Sequence, residues 1–105
     1  MADESRLRVT NASTPWQRTV GLIGRSRLGE DEGMRFEGCS SIHTLFMRMP
    51  IDVVFLDAER RVVRALSNVR PWRPFVGCAR AATVVELAAG AIARRGIAPG
   101  DVLEL

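Results

Sequence analysis

The sequence predicts an α+β domain, mostly β, built as a small barrel or sandwich with two short helices. Three observations lead there. Apolar residues come in short runs such as VVFL and VVEL, the length of strands. Turn-forming clusters (DAER, RPWRPFVGC, APGD) separate those runs at close intervals. Two stretches only, STPWQRTVGLIGRS and AAGAIARRG, carry helix start or stop signals. With 105 residues, 47% apolar and 26% charged, one core and a single domain over residues 1–105 are expected.

The elements follow in chain order. RLRVT sets Leu7 and Val9 against Arg6, Arg8 and Thr10, the alternation of a half-buried first strand. Thr14 as N-cap, Pro15 at the first helical position and Gln17 three residues after the cap predict a helix with Trp16, Val20 and Ile23 on one face, ended by Gly24. RLGEDEGMRFEG reads as a loop leading to a short strand at Met34 to Phe36. IHTLFMRMPIDVVFL and RVVRALSNVR flank DAER as a hairpin with a type I turn, and Pro50 marks an edge, a bulge or a strand start. RPWRPFVGC is an ordered surface loop. ATVVEL predicts a strand, AAGAIARRG a helix stopped at Gly96 with Arg94 and Arg95 complementing its dipole, and IAPGDVLEL a turn and a last strand.

Composition limits the function classes. No apolar run approaches the roughly 20 residues of a membrane-spanning helix. The stretch MADESRLRVTNAS carries acidic residues and no apolar core, unlike an export leader, so the cytoplasm is the expected compartment. Cys39 and Cys78 match no CxxC pattern and read as thiols of a reducing compartment. A formal charge of +3 invites a nucleic-acid reading, yet all 15 basic residues are arginine and lie dispersed. That is the residue usage of a GC-rich genome more than a basic face for polyanions, and nucleic acid is not the expected partner.

GLIGR, DEGMRF, MPIDVVFLD, VVELAAG and GIAPGDVLEL occur in an order and spacing that resembles the bacterial and archaeal domain of unknown function 192 family, over residues 18 to 105. The resemblance implies a compact α+β domain of unestablished activity. The segment with Val84 to Leu87, Ala88 to Arg95, Gly100 and Asp101 also resembles the strand, helix and Gly-Asp turn of cradle-loop barrels. One departure stands out. Where many members carry Trp-Met-Lys-Asn-Thr, this chain, aligned on Pro50, places His43 and Thr44 at the Trp and Met, and Phe46 and Met47 at the Asn and Thr.

Four constellations bear on chemistry. Cys39 and His43 are the pieces of a nucleophile and base, but four residues of continuous strand span about 13 Å, so contact needs a turn at Gly38 to Ser41 or an approach of Cys78. The same three residues suit zinc but lack a fourth ligand, so no metal and no cofactor is assigned. Arg48 and Asp52 flank Met49-Pro50-Ile51, where Asp52 either fixes the bend by capping local backbone N–H groups or pairing with an arginine, or orients Arg48 as an anion-binding fork; the architectural role is preferred. Arg70, Trp72, Arg73 and Phe75 can hold a base or an acidic ligand, although the preferred reading is a proline-stiffened loop closing the core with its aromatics tucked in. Gly100-Asp101 reads as a type II turn.

The expectation is therefore a binding or accessory module for a small molecule or protein partner, with Cys39, His43, Thr44, Arg48 and Asp52 as candidate ligand-binding residues. The alternatives are a small hydrolase or transferase using His43 as base and Cys39 as nucleophile, and a polyanion binder acting through its arginines.

Overall fold

A computed structural model describes residues 2–12 and 28–104. The helix expected between Thr14 and Gly24 lies outside the described residues. The strands are β1 (Arg8–Asn11), β2 (Glu32–Glu37), β3 (Ser41–Ile42), β4 (Ile51–Leu56), β5 (Val62–Val69), β6 (Val76–Gly77) and β7 (Thr83–Ala88), followed by helix α1 (Ala91–Arg95). Five of them form a mixed sheet in the order β1-β2-β7-β4-β5, with β1 parallel to β2 and the other pairs antiparallel. β3 and β6 make a separate two-stranded sheet.

The strands IDVVFL and TVVELA are buried at all six positions, because β4 and β7 are central and covered on both faces. Ile51, Val53, Phe55 and Val84 face one cluster with Phe36, Met47, Val69 and Val76, against which Ile42, Cys39 and Cys78 also pack. Val54, Leu56, Val85 and Leu87 face the other, closed by Ala91 and Ile92 of α1 together with Ile97 and Leu103. Each fully buried Val, Leu, Ile or Phe contributes roughly 1.5–3 kcal/mol of transfer free energy.

Two expectations change. Among the described residues the main sheet is open, with β1 and β5 at its edges, and does not close as a barrel. The α+β, mostly β architecture holds; the packing is a small sheet and a helix on opposite faces of a larger sheet. The expected last strand reduces to one bridge between Arg61 and Val102. Its backbone pairs with the β4–β5 loop, where Arg60 has φ 65°, and a ladder cannot propagate along a left-handed kink.

The other local signals fall where their chemistry puts them. Pro50 immediately precedes β4 and so needs no ladder N–H. In the hairpin loop, Asp57 Oδ1 accepts the N–H groups of Glu59 and Arg61. Helix α1 ends at Gly96, φ 63°, with Arg94 and Arg95 in its last turn. Arg95 does more than meet the dipole: nearly buried, it donates to the carbonyls of Asp3 and Ser5 and to Asp31 Oδ1, tying the first residues to the helix. Gly100, φ 96°, occupies the position of a type II turn that only glycine takes without strain, and Asp101 Oδ2 accepts the Ala98 N–H.

Candidate functional site

Between β3 and β4 the chain leaves the sheets for eight residues, 43 to 50, and between β5 and β6 for six, 70 to 75. Thr44 ties these two loops together. Its hydroxyl donates to the Arg70 carbonyl at 2.7 Å and accepts the Arg73 N–H at 2.8 Å. Its backbone N–H donates to the Arg73 carbonyl, and its carbonyl accepts from Trp72 and Met47. Thr44 is fully buried, a polar residue whose burial is offset by satisfying every group it carries. Sequence reasoning placed it among ligand contacts, but its hydrogen-bonding capacity is spent inside the protein.

What the tie presents is aromatic. Phe46 and Trp72 lie 4.8 Å apart between ring centroids, tilted by 60°. Both are more than half exposed, at 58% and 59%, and Phe75 is exposed as well. The expectation that the aromatics of RPWRPF tuck into the core is thus corrected. Core space under the loops is already filled by Met47, Ile42 and Val76. Phe46 and Trp72 also sit at φ 64° and φ 67°, a region that costs a bulky L-residue about 1–2 kcal/mol. Strain of this kind persists only where surrounding contacts over-determine it, as the Thr44 bonds do here. Beyond the aromatics, Gly77 allows Phe75 to fold back: a Cβ there would stand 2.6 Å from the Phe75 ring.

Arg48, Arg70 and Arg73 are exposed on the same two loops, and none pairs with a carboxylate among the described residues. The end of the domain therefore combines two half-bare rings in tilted contact with uncompensated positive charge.

The remaining candidates are dispersed by the fold. Asp52 is fully buried in β4. Its Oδ1 accepts the Asn68 N–H at 2.8 Å, and its Oδ2 accepts the N–H groups of Gly90 and Ile92 at 3.1 and 2.9 Å. Asn68, φ 54°, lies in the bulge where β5 runs three residues against two of β4. Gly90 is the side-chain-less N-cap of α1. Asp52 thus caps a helix 38 residues away and pins a bulge 16 residues away with one carboxylate. Arg48 is exposed while Asp52 bonds only backbone, so the two form no anion fork.

His43 is half-buried beside β3, and its Nδ1 accepts the Leu45 N–H at 3.2 Å. That bond occupies the Nδ1 lone pair. Cys39 and Cys78 form no disulfide and pack partly buried against the core. Among the described residues no group of three His, Cys, Asp or Glu side chains converges as a metal site, and no helix is long and apolar enough to cross a membrane.

Sequence reasoning missed Glu86. It sits 2% exposed in the middle of β7, and its Oε1 has no hydrogen-bond partner among the described residues. Burial pushes its carboxyl up to about 8. The signal was present as the single charge in TVVELA. By contrast Glu37, held bidentate by Arg60, has its carboxyl lowered by that guanidinium.

The profile of the DUF192 family, described as Uncharacterized ACR, matches residues 1–105. A UPF0127 protein of Pyrococcus furiosus is 42% identical over 65 residues, 62% of this chain and 55% of that protein. Another from Thermococcus sibiricus is 40% identical over 65 residues, 62% of this chain and 42% of that protein. The matched region thus spans about half the length of these archaeal relatives. A crystal structure of a protein of unknown function from Novosphingobium aromaticivorans superposes with a TM-score of 0.85 at 28% identity, covering 99% of this chain and 81% of that one. Profile and superposition both run over the β2, β4 and β7 core and the Asp52-capped helix, and the chain belongs to the DUF192 family.

Proposed function

We propose that the domain is a protein-binding module that recognises an acidic, apolar-bearing segment of a partner through Phe46, Trp72 and the arginines around them. The observation that carries this reading is the tilted, half-exposed pair held at strained φ by the buried Thr44 tie. A structure that only needed to close its core would have no use for two aromatic side chains kept bare at a local cost. Aromatic and arginine residues are the side chains that dominate binding energy at interfaces. Uncompensated Arg48, Arg70 and Arg73 select negative charge and raise the encounter rate with it.

Small-molecule recognition is less well served here, because the two rings stand out from the surface. The hydrogen bond that His43 Nδ1 accepts from Leu45 weighs against the His43 and Cys39 enzyme reading. The two cysteines, which form no disulfide among the described residues, fit a cytoplasmic module.

The test is a fluorescence titration of the full chain with matched twelve-residue peptides, leucine and phenylalanine interspersed with glutamate in one and with lysine in the other. Saturable binding of the acidic peptide, weakened at least tenfold by Trp72→Ala or Phe46→Ala, is expected. Equal binding of the lysine peptide, or an unaffected Trp72→Ala, overturns the reading. So does an oligonucleotide that competes fully and binds Trp72→Ala as it binds the parent, since charge alone would then be sufficient.

A further inference from the structure

A cavity of about 300 Å³ opens where β4 begins and β7 ends, beside the entry to α1. Ala88 and Ala89 line it together with Leu28, Met49 and Pro50, so most of its wall is apolar. The small side chains after VVEL leave the space: Ile51 pairs with Ala88, and a larger residue at that position would extend into the cavity.

Two charges complete the lining, Glu30 and Arg94. Both are placed by their neighbours. The Gly29 N–H donates to Glu32 Oε1 and the Glu32 N–H to the Gly29 carbonyl, closing a turn that carries Glu30 and Asp31. Asp31 accepts from Arg95 at 2.9 Å, which fastens this turn to α1. On the helix, Arg94 lies back across Gly90, where a Cβ would stand 2.7 Å from its guanidinium, and donates to the Ala89 carbonyl at 3.3 Å. That bond uses one of the five guanidinium donors. Of the two carboxylates on the turn and the two arginines on the helix, Asp31 and Arg95 therefore close on each other. Glu30 and Arg94 stay apart on the cavity, and neither pairs with an opposite charge among the described residues.

Opposite charges held apart on one apolar cavity match a molecule that carries both charges itself. A simple cation would be repelled by Arg94, and a simple anion by Glu30. At roughly 30 Å³ for each water-sized group, the volume admits about ten non-hydrogen atoms. We propose that this cavity binds a free aliphatic α-amino acid of the size of leucine or methionine. Its ammonium donates to Glu30, its carboxylate accepts from the remaining donors of Arg94, and its side chain lies against Leu28, Met49 and Ala88. The site is separate from the aromatic end, since neither Phe46 nor Trp72 lines it.

The test titrates leucine into the isotope-labelled full chain and follows the amide resonances of Met49, Ala88 and Ala89. Isoamylamine and isocaproate keep the branched body with one charge each, and glycine keeps both charges without the body. Saturable shifts at those three residues are expected from leucine, with each control at least about tenfold weaker. Glu30 and Arg94 are exposed, so Glu30→Gln and Arg94→Gln remain folded. Each is expected to weaken leucine about tenfold, and each removes a different discrimination. Arg94→Gln binds leucine and isoamylamine alike, whereas Glu30→Gln binds leucine and isocaproate alike. Three results overturn the proposal: no saturable shift from leucine, a control that binds the parent as tightly as leucine, or leucine binding unchanged by either substitution.

Discussion

Replacing Asp52 with alanine tests the architectural core of this fold. Its carboxylate accepts three backbone N–H groups, one from the β5 bulge and two from the first turn of α1. Hydrogen bonds to a charged group contribute about 1.5–3 kcal/mol each, but three bonds to one carboxylate are not additive. Asp52→Ala leaves these buried and part-buried N–H groups without their acceptor, and a loss of about 4–5 kcal/mol is expected. Against a typical total of about 5–15 kcal/mol, that leaves the domain close to its unfolding threshold. Asp52→Asn is the finer probe. With its oxygen turned toward Gly90 and Ile92, it keeps two bonds and loses only the one to Asn68, for about 2 kcal/mol. Urea unfolding followed by far-UV circular dichroism gives both values, and unchanged m-values identify them as stability effects. An Asp52→Ala midpoint that corresponds to less than 1 kcal/mol, or an Asp52→Asn loss equal to that of alanine, refutes the reasoning.

Other outcomes follow from the same geometry. Glu86 has a folded-state carboxyl near 8 against an ordinary 4.5, so its contribution is intact below pH 4.5 and lost as pH rises toward 8. Glu86→Gln is therefore expected to stabilise the domain by about 3 kcal/mol at pH 7 and to flatten the fall in stability between pH 5 and 8, measured by urea unfolding across that range. Thr44→Val keeps the volume but removes the hydroxyl bonds to Arg70 and Arg73; a loss of about 1–3 kcal/mol is expected, with faster amide exchange confined to the loops at 43–48 and 70–75. Gly77→Ala pushes a Cβ against the Phe75 ring, and because that ring is exposed it can swing away. Less than about 1 kcal/mol of stability is expected to be lost, with large shifts of the Phe75 ring resonances.

Strands and punctuation were legible in the sequence because they are local. Pro50 before β4, the Asp57 loop, Gly96 and the Pro99-Gly100 turn each state their geometry within four residues. Topology was less so. Nothing near Val102 announces that its partner is a kinked loop unable to extend a ladder. Asp52 was read as a cap, but its partners lie 16 to 40 residues downstream, and no spacing rule reaches that far. The exposed aromatics were misjudged for a related reason. Composition says that Trp72 and Phe75 are apolar, while only the packing of Met47, Ile42 and Val76 says that the space beneath them is taken. Glu86 went unnoticed within ATVVEL, because burial of both faces of β7 depends on what covers them.

The proposed recognition end is tested most directly by mapping the acidic leucine- and phenylalanine-bearing peptide onto the labelled domain by backbone amide chemical shifts. Perturbations concentrated at residues 43–48 and 70–75, disappearing with Trp72→Ala while the β4 and β7 resonances stay in place, are the predicted result. Shifts spread over the other arginine-bearing surfaces, or centred on β1 and β5 at the sheet edges, would contradict it.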